Sequence, residues 1–314
     1  MSTAERTAEL TLPQASERRG PRRRRLGDTW WRHVIAVVAI VIALFPIAYV
    51  VSAAFNADSS LSGSALIPRH VTLDNFRELF FGQKKSVGHA TFQNAHYGNW
   101  FLNSMVVAGA TALLTVLLSA LAAYAFSRFR FRGRRFGMVA LLLIQMFPQL
   151  LAVVAIYLIV FNAGEVFHFI GLNTLTALIL VYLGGAMGVN TWLMKGFFDT
   201  IPKELDESAR VDGATPAQVF WGVILPLAAP VLAVIALISF ITTLNDFAIA
   251  SVIHQTQHKL TLPVGLQQYI DQKYSEHWGP FAAGVLIAAV PAALLFAATQ
   301  RYIVQGLTSG AVKG

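Results

Sequence analysis

Residues 200–214 read Thr200-Ile201-Pro202-Lys203-Glu204-Leu205-Asp206-Glu207-Ser208-Ala209-Arg210-Val211-Asp212-Gly213-Ala214, and the segment runs on to Ile224-Leu225-Pro226. It lies between two long apolar runs. Apolar or small residues recur at i, i+4, i+7 and i+8 from Ile201, which is typical of an amphipathic helix. Gly213 is expected to end that helix because glycine adopts positive φ without strain. The segment therefore predicts a short helix over 201–211 and a second helix that leads into the next apolar run.

Both predicted helices carry capping signals. We expect Thr200 to cap the first helix, with Pro202 in its first turn, where the missing N–H of proline costs little. Thr215 and Gln218 have the spacing of a capping box, and Pro216 suits the first position of a helix.

The composition is that of a membrane protein. Of the 314 residues, 55% are hydrophobic and only 13% are charged, and the mean hydropathy is +0.57, whereas a soluble domain carries about 25% charged residues. The absence of cysteine excludes disulfides, thiol catalysis and thiolate metal sites. We therefore expect an all-α polytopic membrane protein.

Six apolar runs are long enough to cross about 30 Å of hydrocarbon, which takes about 20 helical residues. They lie near 33–55, 100–126, 137–161, 174–194, 228–253 and 281–302. We divide the chain into a basic leader, 1–28, which is predicted to be disordered and cytoplasmic, and a transmembrane domain, 29–314, with a polar loop at 195–227. Of the 24 Lys and Arg residues, 18 lie in the leader, the second-to-third connection, this loop and the C-terminal end. The positive-inside rule therefore places both termini and the loop in the cytoplasm.

The polar loop resembles the EAA loop of ABC importer permeases, whose pattern is E-A-A, three residues, G, nine residues and I-x-L-P. The matching residues are Glu207-Ser208-Ala209, Gly213, Val223 and Leu225-Pro226. Ser208 and Val223 are small departures that keep the pattern of helix and hinge. The flanking residues 201–205 and 212–214 are similar to the sugar-importer branch of the family.

This resemblance implies a type I ABC importer permease fold in which the loop is a coupling helix, bound in a cleft of a cytoplasmic ATPase subunit. The residues implied for coupling are Leu205, Glu207, Ser208, Ala209, Asp212, Gly213 and Pro226. Glu207 and Asp212 would anchor the helix by charge-assisted hydrogen bonds, and Ala209 would permit close approach. Gly213 would set the turn and Pro226 the angle at which the chain returns to the membrane.

The C-terminal residues 300–314 resemble the end of the permease subunit of maltose and maltodextrin importers, Q-R-x-x-V-x-G-L-T-x-G-x-V-K-G. This likeness implies a second contact with the ATPase, through Gly310, Val312 and Lys313. The alternative is that a short glycine-rich tail is simply disordered.

Polar side chains inside the apolar runs are candidates for a translocation path, because such groups are costly in lipid. The candidates are Gln145, Gln149, Asn190, Asn245 and Asp246. Asp246 is the only ionisable side chain deep inside any of the six runs, and residues 244–247 resemble the W-N-D/E-F pattern of sugar-importer permeases, with Leu244 where tryptophan is usual. Three interpretations of Asp246 stay open: it lines the path, it is a structural hydrogen-bond acceptor, or it carries protons.

The sequence contains no motif that would bind or hydrolyse ATP. The dipeptide Gly-Lys occurs nowhere, so a Walker A loop is excluded, and no convergent catalytic set is visible. The chain is therefore predicted not to be an enzyme and to bind no metal or cofactor of its own, with ATP and Mg²⁺ on a separate subunit.

The resemblance implies three protein partners in the bacterial inner membrane: a homologous second permease subunit, a dimeric cytoplasmic ATPase and an extracytoplasmic sugar-binding protein. Membrane lipid is expected as a further partner, and nucleic acid is not. The implied function is import of maltose-type oligosaccharides. The alternatives are a permease for a different sugar and a secondary transporter driven by protons through Asp246.

Overall fold

The computed structural model describes residues 30–57, 68, 70–82, 96–270 and 277–311, with side chains as far as Tyr302 and without that of Gln149. The predicted leader lies outside these residues. The chain divides into two units, Met1–Ala48 and Tyr49–Gly314. In the first unit, the described residues form one helical stretch that is exposed along its whole length and contains Pro46. Its exposed apolar side chains fit a lipid environment.

The described residues form helices, together with one isolated antiparallel bridge between Asn56 and Val71. The helices are α1 Trp30–Phe55, α2 Asp74–Phe81, α3 Tyr97–Arg128, α4 Arg134–Gln145, α5 Val153–Val166, α6 Leu175–Thr200, α7 Lys203–Val211, α8 Pro216–Val219, α9 Leu225–Leu227, α10 Ala229–Leu244, α11 Ala248–Ile253, α12 Leu262–Gln267 and α13 Trp278–Ala311. A π-helical turn, Phe220–Ile224, joins α8 to α9. The predicted all-α fold is confirmed.

Among the described residues, four helices are long and apolar enough to cross a membrane by themselves: α1, α3, α6 and the part of α13 up to Tyr302. Two bent pairs raise the number to six if each is one span. Arg134–Gln145 and Leu150–Val166 meet at 103°, and Pro216–Leu227 and Ala229–Leu244 meet at 77°. The first bend follows from Pro148, because proline supplies no N–H to a helix and disfavours helical geometry in the residue before it.

The expected span 228–253 is interrupted. Helix α10 ends at Leu244 and α11 begins at Ala248, so Asn245, Asp246 and Phe247 lie between two helices. Hydrophobic periodicity does not reveal this break, because the residues on both sides are equally apolar.

The core that positions the polar loop lies at the C-terminal ends of α3 and α6. Its buried side chains are Ala120, Ala123, Tyr124, Met194, Phe198, Ile201, Val219, Phe220, Ile224, Ala228 and Ile235. Ala120 and Ala123 are fully buried, and their small size lets α3 approach its neighbours closely. The residues after the polar loop are therefore anchored in the same core as the helices before it.

The opposite end of the bundle is held by side chains of α3. The indole Nε1–H of Trp100 donates to the carbonyl of Gln257 at 2.7 Å. A Cβ added to Gly265 would lie 2.2 Å from the Trp100 ring, so the ring fills the space above this glycine. We expect from the sequence that Trp100 sits at the membrane interface as an aromatic anchor. The segment 257–265 covers the ring and leaves it 4% exposed, so Trp100 packs inside the protein, and its position at the interface stays a prediction.

Candidate functional site

Helix α7 is the short helix that the polar loop predicts, but its start differs. Thr200 belongs to α6, and its hydroxyl donates to the carbonyl of Phe197 at 2.7 Å, so it does not cap α7. Pro202 holds the cap position instead, with φ −55° and ψ 135°. Because the proline ring fixes φ near this value, the two-residue link between α6 and α7 turns without a side-chain cap.

The C-terminal end of α7 forms around Gly213 as the sequence predicts. Gly213 has φ 85°, its N–H donates to the carbonyl of Arg210 at 3.0 Å, and the N–H of Ala214 donates to that of Ala209 at 2.9 Å. A Cβ added to Gly213 would meet no atom within 4 Å. Glycine is therefore required here by the backbone conformation and not by lack of space.

The next helix begins with the predicted capping box. The N–H of Thr215 donates to Oε1 of Gln218 at 2.8 Å, and the N–H of Gln218 donates to Oγ1 of Thr215 at 3.3 Å. Pro226 follows the π-helical turn and lies two residues before the bend at Ala228. It therefore occupies the place where the chain changes direction.

The two faces of α7 differ from the predicted stripe. Ile201 and Ala209 pack on the core, as an amphipathic helix requires, but Leu205 and Ser208 are exposed. Val211 is also exposed, with 87% of its surface accessible. Of the predicted coupling residues, Ala209 is half-buried and the others are exposed: Leu205, Glu207, Ser208, Asp212, Gly213 and Pro226.

Asp206 occupies the inward position and pairs with Arg128, the last residue of α3. Nε of Arg128 lies 2.7 Å from Oδ2 of Asp206, and the two side chains are only 3% and 5% exposed. Nη2 of Arg128 also donates to the carbonyl of Ile201 at 3.0 Å. One arginine thus joins α3 to the link before α7 and to α7 itself.

A second polar contact joins α3 to α6 at the same end. The hydroxyl of Ser127 donates to Oδ1 of Asp199 at 2.6 Å, and Lys195 pairs with the other oxygen of that carboxylate. Sequence reasoning assigned no role to Arg128, Asp206 or Asp199. The available signal was an arginine directly after an apolar run and an acidic residue on the apolar side of a short helix.

Asp246 is a hydrogen-bond acceptor between helices. Its Oδ1 accepts from the hydroxyl of Tyr182 on α6 at 2.7 Å, and from the N–H groups of Ile249 and Ala250 at 3.0 and 3.2 Å. The carboxylate therefore caps α11 and links it to α6, which is the geometry of the structural interpretation. The path and proton-carrier interpretations remain predictions.

The other candidate path residues do not share one cavity in the described part of the chain. Gln145 donates to the carbonyl of Gly185 and lines a cavity of 590 Å³ between α4, α5 and α6. Asn245 lines a separate cavity of 480 Å³ with residues of α12 and α13. Asn190 is half-buried on α6.

Some of the predicted site residues lie outside the part of the chain that the structure describes. The side chain of Gln149 lies outside the described residues. Of the predicted tail contacts, Gly310 belongs to the last turns of α13, and Val312 and Lys313 lie outside the described residues. Within the described ranges, no group of three or more His, Asp or Glu side chains could hold a metal ion.

Replacing Asp246 with asparagine tests the path interpretation. Asparagine keeps an oxygen where Oδ1 accepts its hydrogen bonds, so the thermal midpoint of the purified chain should change little. If the carboxylate binds substrate hydroxyls, uptake should fall by about tenfold, because a hydrogen bond to a charged group is worth about 1.5–3 kcal/mol. The measurement is substrate uptake alongside thermal unfolding. Unchanged uptake and affinity would leave only the structural role.

Comparisons with known proteins identify the family of the chain. Residues 115–309 match the family described as "Binding-protein-dependent transport system inner membrane component". The chain is 38% identical over 281 residues to the galactooligosaccharides transport system permease protein GanQ of Bacillus subtilis (strain 168), covering 90% of this chain and 94% of GanQ. It is 39% identical over 284 residues to the maltose/maltodextrin transport system permease protein MalG of Escherichia coli (strain K12), covering 90% of this chain and 95% of MalG.

Among solved structures, the fold is similar to a chain from a bacterial ABC transporter involved in the import of the acidic polysaccharide alginate. The TM-score is 0.70 with 22% sequence identity, covering 88% of this chain and 98% of that chain. At this identity the likeness concerns the fold alone. The family match over residues 115–309 and the relatives of 38% and 39% identity show that the protein is a membrane component of a transport system, not an enzyme, and that it resides in the inner membrane. The chain belongs to the family of inner-membrane components of binding-protein-dependent transport systems.

Proposed function

We propose that this chain is a permease subunit of an ATP-driven ABC importer for maltose-type oligosaccharides, and that α7 couples it to the ATPase. The observation that carries the proposal is the two-sided placement of α7. Its inner face is fixed by the buried Arg128–Asp206 pair, and its outer face leaves Leu205, Glu207 and Val211 exposed. A helix that is rigidly held on one side and free on the other can transmit a displacement applied by a second protein.

The proposed mechanism is mechanical. Closure of a separate, dimeric ATPase on ATP and Mg²⁺ would move α7 as a rigid body. Glu207 and Asp212 are exposed carboxylates that can make charge-assisted hydrogen bonds to the ATPase, and Leu205 supplies apolar contact. The displacement passes to α3 through Arg128, and into α10 through the core packing around Phe220 and Ile224. The spans then alternate between inward and outward openings, beside a homologous permease partner.

The substrate class rests on the named relatives and on the tail. MalG is named for maltose and maltodextrin and GanQ for galactooligosaccharides, so both names specify sugars of more than one unit. The tail resembles that of maltose-type permeases, which favours an α-glucan oligosaccharide delivered by an extracytoplasmic binding protein. A galactooligosaccharide is the second candidate, supported by the 38% identity to GanQ.

Reconstitution in proteoliposomes with the companion subunits tests the proposal. ATPase activity should rise several-fold when binding protein loaded with maltose or maltotriose is added, and uptake should require ATP. Binding protein loaded with galactooligosaccharide provides the comparison. Stimulation by that sugar alone would reassign the substrate, and uptake driven by a proton gradient in vesicles without any ATPase chain would contradict the importer mechanism.

A further inference from the structure

A cavity of 680 Å³ lies where the α3–α4 connection meets α6, apart from the exposed face of α7. Three cationic side chains line it: Arg134, Arg135 and Lys195. Its remaining wall is aromatic and apolar, with Phe136, Val139 and Trp192 among the lining residues. The coupling mechanism proposed above makes no use of this cavity.

The cavity carries an excess of positive charge. Lys195 pairs with Asp199, whose carboxylate also accepts from Ser127, and Arg134 lies within the electrostatic range of the same carboxylate. In the part of the chain that the structure describes, neither Arg134 nor Arg135 has a carboxylate within ion-pair distance. The carboxylate of Asp199 thus balances at most part of the charge of the three cations that line the cavity, and the cavity favours an anion.

An apolar stripe leads away from these charges along α4. Phe136, Val139 and Leu143 are spaced at i, i+3 and i+7, and all three are exposed, Phe136 to 78%. Helix α4 begins at Arg134 and opens a candidate membrane span, so the cations lie at its polar end and the stripe extends into the span. Trp192 on α6 lines the cavity together with the cations and is half-exposed. Tryptophan is typical of the boundary between head groups and hydrocarbon.

We infer that this cavity binds the phosphate head group of an anionic phospholipid, with an acyl chain along Phe136, Val139 and Leu143. The guanidinium groups of Arg134 and Arg135 would bind phosphate oxygens, because arginine donors match phosphate geometry in pairs. A zwitterionic head group adds a cation that these arginines repel, and a soluble phosphate leaves the apolar stripe uncovered. Basic pockets between spans at the cytoplasmic surface recognise anionic head groups in this way.

Tryptophan quenching by brominated lipids tests this inference on the full chain in nanodiscs. The contribution of Trp192 is isolated as the difference between the native chain and Trp192→Phe. At low, equal mole fractions, brominated phosphatidylglycerol should quench this component more strongly than brominated phosphatidylcholine. The double variant R134Q/R135Q should lose the preference for phosphatidylglycerol. Its affinity for that lipid should fall roughly fivefold for each arginine removed.

R130Q/R132Q is the matched control, because it removes two arginines from the same connection that do not line the cavity. This control should keep the native preference for phosphatidylglycerol, and free glycerol phosphate should not compete. Equal quenching by both lipids would overturn the inference. Equal loss in both double variants would also overturn it, and competition by glycerol phosphate would assign the cavity to a soluble anion.

Discussion

Replacing Gly213 with valine is expected to abolish uptake while the chain still inserts into the membrane. Gly213 has φ 85°, a conformation that costs an ordinary residue about 1–2 kcal/mol and a β-branched residue more. Valine would therefore shift the backbone, break the bond from Ala214 to Ala209 and reorient α7 relative to α8. Uptake by the assembled transporter is the measurement, with the amount of inserted protein determined in the same membranes.

Three variants make this result specific. Gly213→Asn should retain most uptake because asparagine tolerates positive φ, and Gly213→Ala should be intermediate. Gly222→Val is the matched control: a Cβ at Gly222 also meets no atom within 4 Å, but its φ is not positive. This control should transport normally. Normal uptake by Gly213→Val, or equal loss in both valine variants, would count against the coupling role of α7.

Replacing Asp206 with alanine should destabilise the chain more than any change to an exposed residue of α7. It would leave Arg128 charged and almost fully buried without its counter-ion, which costs about 3–5 kcal/mol. The thermal midpoint of the purified chain should fall by about 10 °C. Hydrogen exchange should increase first in α7, because the contact that holds its inner face is gone.

Two variants separate the buried pair from a general effect of charge. Glu204→Ala removes an exposed carboxylate from the first turn of the same helix, and it should change the stability by less than about 1 kcal/mol. The double variant Arg128→Met/Asp206→Leu removes both charges and should recover most of the lost stability. If Asp206→Ala had the same thermal midpoint as the native chain, the buried pair would not anchor α7. The same conclusion would follow if Glu204→Ala lowered the thermal midpoint as much as Asp206→Ala.

Features fixed by neighbouring residues could be predicted from the sequence. The stop at Gly213 and the capping box of Thr215 and Gln218 follow from backbone rules within a few residues, and both are present. The break at Pro148 also follows from one residue. Because these rules do not depend on the rest of the fold, they identified the C-terminal end of α7 and the start of α8. The predicted cap at Thr200 is wrong, because this residue still belongs to α6.

Features that depend on distant residues could not be predicted. Helical periodicity places apolar residues inward, yet Asp206 faces inward because Arg128 from another helix neutralises it. Trp100 is buried because the segment 257–265 covers its ring. Asp246 looks like a charge inside a continuous span, but its carboxylate caps α11 after a break that hydropathy does not show. For Asp206 and Trp100 the deciding contact lies far along the chain, and the carboxylate of Asp246 also accepts from Tyr182 of another helix.

The central claim is that α7 contacts the ATPase. The chain has no cysteine, so one introduced cysteine can carry a unique photo-crosslinker. The most direct measurement uses two single variants, each labelled in the intact transporter. Val211→Cys places the crosslinker on the exposed face of α7, and Phe169→Cys places it in the exposed turn between α5 and α6. We expect a covalent adduct with the ATPase from position 211 and none from position 169. If position 211 gave no ATPase adduct, or reacted with an impermeant thiol reagent from outside the cell, α7 would not be the helix that contacts the ATPase.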